Sequence, residues 1–235
     1  MIDKKDTKKS NPTPFHVEEA YKTLRTNLMF ALSTVDNKAI VISSARQEEG
    51  KSETSARLAT VMAELEVKVI LIDADMRKPT QHKIFKCSNQ VGLSTILSGN
   101  ADFEEAIREN IKPNLDIITS GKSPPNPSEL LGTDRMTYLL EELSRYYDYI
   151  FIDTPPINLI TDAVILSGKS AGVVLVTRHG KSTYNELTKA VSRLEFSGAN
   201  ILGLVVNAVK SKSRIFGRYG RYGKYGYGEY GKSTK

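Results

Sequence analysis

Ser43-Ser44-Ala45-Arg46-Gln47-Glu48-Glu49-Gly50-Lys51-Ser52 separates a β-branched apolar run, Ile40-Val41-Ile42, from a helix-compatible run, Glu53 to Leu65. A loop ending in Gly-Lys-Ser between a strand and a helix start is the setting of a phosphate-binding loop. There, backbone N–H groups and the positive end of the helix cradle a polyphosphate, a lysine reaches the outer phosphates and a Ser/Thr hydroxyl meets Mg²⁺. Lys51 and Ser52 take those two roles, with Glu49, Gly50 and Glu53 bordering the nucleotide. The first glycine of the motif is replaced by Ala45. Glu48 and Glu49 put two carboxylates where an anion should be welcome, unless their side chains point outward and only their amides face the ligand.

Two further apolar runs end in acids. Lys68-Val69-Ile70-Leu71-Ile72 leads into Asp73-Ala74-Asp75-Met76-Arg77-Lys78-Pro79, and Tyr149-Ile150-Phe151-Ile152 leads into Asp153-Thr154-Pro155-Pro156. Ligands of open α/β sheets bind at the carboxyl ends of parallel strands, so Asp73, Asp75 and Asp153 are placed to meet Mg²⁺ and the γ-phosphate. Alternation puts Asp73 and Asp75 on one side of an extended segment, where one can hold the metal while the other takes a proton from an attacking hydroxyl. Two loop-end aspartates capping a turn is the plainer reading of that pair.

Helical stretches separate the strands. Val17, Ala20, Tyr21, Leu24, Leu28 and Ala31 recur at helical spacing over 16–32, and helices are expected near 94–97, 102–109, 134–146 and 184–197. Strands at 115–119, 173–177 and 201–206 complete a P-loop NTPase-type α/β fold, a doubly wound parallel sheet flanked by helices. Asn207, at the end of the last strand, reads either as a nucleotide-base contact or as a turn residue. Gly121 to Leu131 is a proline-stiffened loop in which Ser128 is expected to cap the following helix. Along the first helix Glu19, Lys22 and Arg25 are three residues apart, the spacing of ordinary ion pairs on a solvated face.

At 235 residues with 40% hydrophobic content, the chain suits one globular domain. That domain is expected over 16–209, with an N-terminal arm at 1–15 and a tail at 210–235. The single cysteine, Cys87, excludes an internal disulfide, and neither a secretory leader nor an apolar run of membrane-spanning length is expected. The net charge of +6 is concentrated: residues 210–235 hold eight Lys/Arg against one acid, Glu229, leaving the rest near −1. A nucleic-acid-binding face on the domain is therefore not expected. The tail repeats tyrosine-glycine with interleaved cations, at Tyr219, Tyr222, Tyr225, Tyr227 and Tyr230. Such a composition fits a disordered segment that stacks on bases, that offers phenols to a phosphotransferase, or that does neither.

Taken together, the Glu19-x-x-Lys22-x-x-Arg25 helix, the phosphate loop, Leu71 to Pro79, Pro125-Asn126-Pro127-Ser128-Glu129-Leu130-Leu131, the run ending at Asp153 and the tyrosine cluster resemble the bacterial tyrosine kinases, in the Firmicutes form found as a separate cytoplasmic chain. The likeness runs from about Glu18 to Gly231. It departs at Lys22, usually arginine, and at Gln47 and Glu48, where the family loop has proline and glycine. It implies an ATP-dependent protein-tyrosine kinase with Lys51 and Ser52 on phosphate and Mg²⁺, Asp75 and Asp153 on the metal, and Asp73 as base, Asp73 and Asp75 being open to exchange. It also implies that Glu19, Lys22 and Arg25 join subunits into a homo-oligomeric ring whose tails are phosphorylated by neighbours. A transmembrane adaptor that activates the kinase at the inner face of the membrane, a cognate phosphatase, protein-tyrosine substrates and control of capsule or exopolysaccharide production follow from the same likeness. The alternative is a ParA/MinD-like partitioning ATPase, which would have a signature lysine where this chain has Arg46.

Overall fold

The computed structural model describes residues 14–209. The predicted arm and the five tail tyrosines lie outside them, apart from Pro14 and Phe15, which already belong to the first helix. Seven strands form one sheet in the order β3-β4-β2-β5-β1-β6-β7. They are β1 (Ala39–Ser44), β2 (Val69–Asp73), β3 (Ile107–Lys112), β4 (Leu115–Ile118), β5 (Tyr149–Asp153), β6 (Gly172–Arg178) and β7 (Ile201–Asn207). Every neighbouring pair is parallel except β3 with β4. β1, β2 and β5 are buried on both faces, which is why they read as unbroken apolar runs.

α1 (Pro14–Ala31) and α2 (Lys51–Ala63) cover one face, where Leu28, Leu58, Met62, Leu71 and Phe151 share a core. The other face is closed by α4 (Leu93–Leu97), α6 (Pro127–Gly132), α7 (Asp134–Tyr146), α8 (Asp162–Ser167) and α9 (Tyr184–Phe196), around Ile70, Ile152, Leu139 and Leu143. Two short helices, α3 (Gln81–Ile84) and α5 (Phe103–Ala106), complete the chain. Among the described residues no helix is long and apolar enough to cross a membrane.

Two expectations fail here. The helix expected over 102–109 stops at Ala106, and Ile107–Lys112 turns back as an antiparallel edge strand on β4. Residues 103–106 are helix formers, but Ala106 is fully buried and Ile107 pairs with Ile118, so tertiary pairing overrides local preference. Ser128 is not a cap. Asn126 stands at the N-cap with Pro127 at the first helical position, and the Ser128 hydroxyl goes elsewhere.

Candidate active site

The register of the central strands assembles the site. Ile42 is level with Asp153 across β1 and β5, and Asp73 is level with Asp153 across β2 and β5, so the loops after β1, β2 and β5 meet at one carboxyl edge.

In the phosphate loop, Gly50 has φ +90, and a Cβ there would lie 2.0 Å from Asn207 Nδ2. Glycine is needed both for that backbone conformation and for that approach. The Asn207 amide donates to the Glu49 carbonyl at 3.1 Å, while its own Oδ1 accepts from the Ala208 N–H. Asn207 therefore braces the loop, which neither reading of it as a base contact nor as a simple turn residue anticipates.

The two glutamates divide. Glu49 is fully buried and turned to protein amides: Oε2 accepts from Arg46 N–H at 2.7 Å, and Oε1 lies 3.4 Å from both Thr177 Oγ1 and Arg178 N–H. It latches the loop to β6. Glu48 points outward to Lys181 Nζ at 2.7 Å, so its added charge is neutralised away from the cradle. Its φ of 60 is a left-handed conformation that glycine adopts without strain. Glu53 extends from the exposed side of α2 to Arg57, so its carboxylate is not among the groups gathered around Lys51.

Lys51 is the centre of charge. Its ammonium lies 3.0 Å from Asp75 Oδ2, 3.6 Å from Asp153 Oδ1 and 3.1 Å from Ser52 Oγ. Burial acts to lower its pKa, but Asp153 and Asp75 together more than offset this and hold it above the ordinary lysine value. Asp153 is fully buried. Its other oxygen accepts from Gln81 Nε2 at 2.8 Å, and the same amide nitrogen lies 3.0 Å from the Ser52 carbonyl.

Asp73 is also fully buried. Oδ2 accepts from the Thr80 and Gln81 N–H groups at 3.0 and 2.9 Å, and Oδ1 lies 3.2 Å from the Asp75 N–H. Burial first, then the Asp153 charge, push its pKa up to about 7 against the pull of those amides and Lys51. Asp75 is slightly more open, and its Oδ1 accepts from the Lys78 N–H at 3.0 Å.

Among the described residues no three His, Cys, Asp or Glu side chains form a metal cage by themselves. The oxygens of Ser52, Asp75 and Asp153 nevertheless converge on one cation, the Lys51 ammonium. Such a hard oxygen set suits Mg²⁺, which takes one or two carboxylates and completes its shell with water and nucleotide phosphates.

Residues 37–195 match the family model described as AAA domain. Tyrosine-protein kinase CpsD of Streptococcus agalactiae is 42% identical over 203 residues, 86% of this chain and 88% of that protein. The solved kinase domain of Escherichia coli tyrosine kinase ETK superposes with a TM-score of 0.80 at 37% identity, covering 88% of this chain and 85% of that one. This chain belongs to the bacterial tyrosine-protein kinases. The cell-division ATPase MinD of Pyrococcus furiosus, at 24% identity and TM-score 0.63 over 75% of this chain and 74% of that one, shares the fold alone. In this kinase Arg46 turns to Glu186 on α9 at 3.2 Å.

On α1 of the kinase, Lys22 pairs with Glu18 at 2.8 Å and Glu19 at 3.2 Å, the ion pairing its spacing suggests. Arg25 is used within its own chain: it donates to the Val61 carbonyl on α2 and lies 3.7 Å from Glu64, the residue that caps the end of that helix. Gln81 was not legible in the sequence, since a single glutamine after Lys78-Pro79-Thr80 carries no motif. Nor was the group formed by Arg77, Ser128 and Asp162, which lie in three separate segments.

Proposed function

We propose that this tyrosine kinase uses Mg-ATP to phosphorylate its own C-terminal tyrosines, Tyr219, Tyr222, Tyr225, Tyr227 and Tyr230, in trans between subunits. The convergence of Ser52, Asp75 and Asp153 oxygens within 3.0–3.6 Å of the Lys51 ammonium carries this reading. In it, the loop amides at the N-terminus of α2 bind the phosphates, and Lys51 moves from the carboxylates to the outer phosphate oxygens. Ser52, Asp75 and Asp153 would hold Mg²⁺, which when bound neutralises phosphate charge and aligns the γ-phosphoryl group. Asp73 accepts the phenolic proton, its affinity near neutrality matching the task. Its free capacity is on Oδ1, because two amides already occupy Oδ2. Asn207 keeps the loop in shape and has one further N–H for an adenine.

Glu19, Lys22 and Arg25 lie at the proposed ring contact, Glu19 and Lys22 facing a neighbour and Arg25 setting the helix on α2. A transmembrane adaptor brings the ring to the inner membrane face and activates it, a cognate phosphatase reverses the modification, and the cycle governs capsule or exopolysaccharide synthesis. Each tail phosphate adds about −1.5 to −2 charges at neutral pH, so five reverse the local +7 and weaken attraction to an acidic site. Tail phosphorylation is therefore expected to disfavour the ring.

The test is mass spectrometry of tail peptides after incubation with Mg-ATP, with and without a candidate adaptor segment, beside Lys51→Ala. Phosphate on the tail tyrosines of the wild type and none on the variant supports the reading. Absence of tail phosphotyrosine in every wild-type incubation, with ATP binding intact, contradicts it.

A further inference from the structure

Asp162, the first residue of α8, is fully buried, yet one of its carboxylate oxygens has no hydrogen-bond donor. A buried carboxylate left half satisfied costs stability, so what it holds is informative. Its Oδ1 accepts from Ser128 Oγ at 2.5 Å, and its Oδ2 lies 3.8 Å from Arg77 Nε. Ser128 Oγ in turn lies 3.1 Å from Arg77 Nη2. The direction of this chain is unambiguous. A guanidinium only donates, so the serine hydroxyl accepts from Arg77 and sends its own hydrogen to the carboxylate.

Arg77 is thus held at two points, by α6 through Ser128 and by α8 through Asp162, while 40% of its side chain stays exposed. It stands two residues beyond Asp75, on the same turn whose Lys78 N–H binds the Asp75 carboxylate. Asp162 is also close enough to Asp75 to feel its charge: burial first, then Asp75, raise the Asp162 pKa against the pull of Ser128 and Arg77. The group therefore borders the phosphate site on the side of the Asp73–Asp75 turn.

We propose that Ser128 and Asp162 are positioning residues that pin the Arg77 guanidinium beside the Asp73–Asp75 turn, leaving its remaining N–H groups for oxygens of the phosphoryl group during transfer to tyrosine. Arg77 then acts on charge that develops in transfer, and Ser128 and Asp162 act only through it. Lysine in its place would retain charge but not the two-point fixation, because a planar fork is what both partners grip. The Pro125 to Leu131 stretch gains a function in this account, since α6 places Ser128.

This inference rests on the phosphotransfer reading, and wild-type tail phosphorylation is the control that separates the two. Arg77→Gln, Ser128→Ala and Asp162→Asn are made singly, and the last two also in the Arg77→Gln background. Turnover and ATP affinity are measured separately, with a thermal melt for each variant. Arg77→Gln is expected to lower kcat about a hundredfold and Ser128→Ala or Asp162→Asn roughly tenfold, with the Kd for ATP changed by less than about twofold. In the Arg77→Gln background the second substitution should cost less than about twofold, because the network is already cut. Arg77→Lys should recover part of the loss. Equal losses from Ser128→Ala in both backgrounds, wild-type kcat in Ser128→Ala, or a parallel fall in ATP affinity would each overturn the inference. A wild type that makes no phosphotyrosine sinks the parent reading instead. Should Asp162→Asn melt early, Ser128→Ala, which removes one hydroxyl and no charge, still decides the matter.

Discussion

The carboxyl edge of β2 and β5 and the outer face of α1 carry the same kinds of residue to opposite ends. At the strand edge, Asp73, Asp153 and Lys51 are buried and their charges act on one another through protein. On α1, Glu18, Glu19 and Lys22 pair in contact with solvent. Exposed pairs of this kind contribute little to stability, whereas removing one partner of a buried set costs about 3–5 kcal/mol. The contrast separates charge kept for chemistry from charge that adds little to the stability of its own chain.

Lys51→Met should break the contrast most. Without the ammonium, Asp75 and Asp153 face each other unneutralised, so kinase activity is expected to vanish and stability to fall by about 3 kcal/mol at pH 8. Urea melts and tail phosphorylation check this. A variant as stable as the wild type would mean that the buried carboxylates do not need the ammonium.

Gly50→Ala comes next. The φ of +90 and the 2.0 Å approach of Asn207 Nδ2 leave no room for a methyl, and a destabilisation of about 1–3 kcal/mol with loss of ATP binding is expected. Calorimetric titration with ATP checks it. Wild-type affinity in the variant would show that the loop closes differently around nucleotide.

Lys22→Ala should change monomer stability least, because its pairs with Glu18 and Glu19 stand in solvent. Its effect is expected instead in oligomer mass, read by light scattering. A large loss in the melt with no change in mass would place α1 with the strand edge rather than in contrast to it.

Much of the strand edge was readable in advance because its signals are local. Each acid directly follows an unbroken apolar run, and the Gly-Lys-Ser turn lies between strand and helix. What escaped depends on partners distant in sequence. β3 was hidden because Phe103 to Ala106 favours a helix and only the Ile107–Ile118 pairing ends it. Gln81 matters because Asp153 accepts from it across 72 positions, and Ser128 because Asp162 lies 34 positions on. The inward turn of Glu49 and outward turn of Glu48 likewise depend on Arg178 and Lys181, which adjoin the end of β6.

Asp73 gives two pH dependences of opposite sign. Its folded pKa of about 7 exceeds the ordinary 3.8, so its contribution to stability is fully present below about pH 4 and is lost as pH rises through 7. Activity that needs it as a base rises over the same interval. The most direct measurement is therefore kcat/KM for ATP in tail phosphorylation, from pH 5.5 to 9, in the wild type, Asp73→Asn and Asp75→Asn. A rise with a midpoint near 7 is expected in the wild type and is expected to be absent from a residual, pH-flat Asp73→Asn. A midpoint near 7 that survives in Asp73→Asn and disappears in Asp75→Asn would contradict that expectation and hand the proton to Asp75.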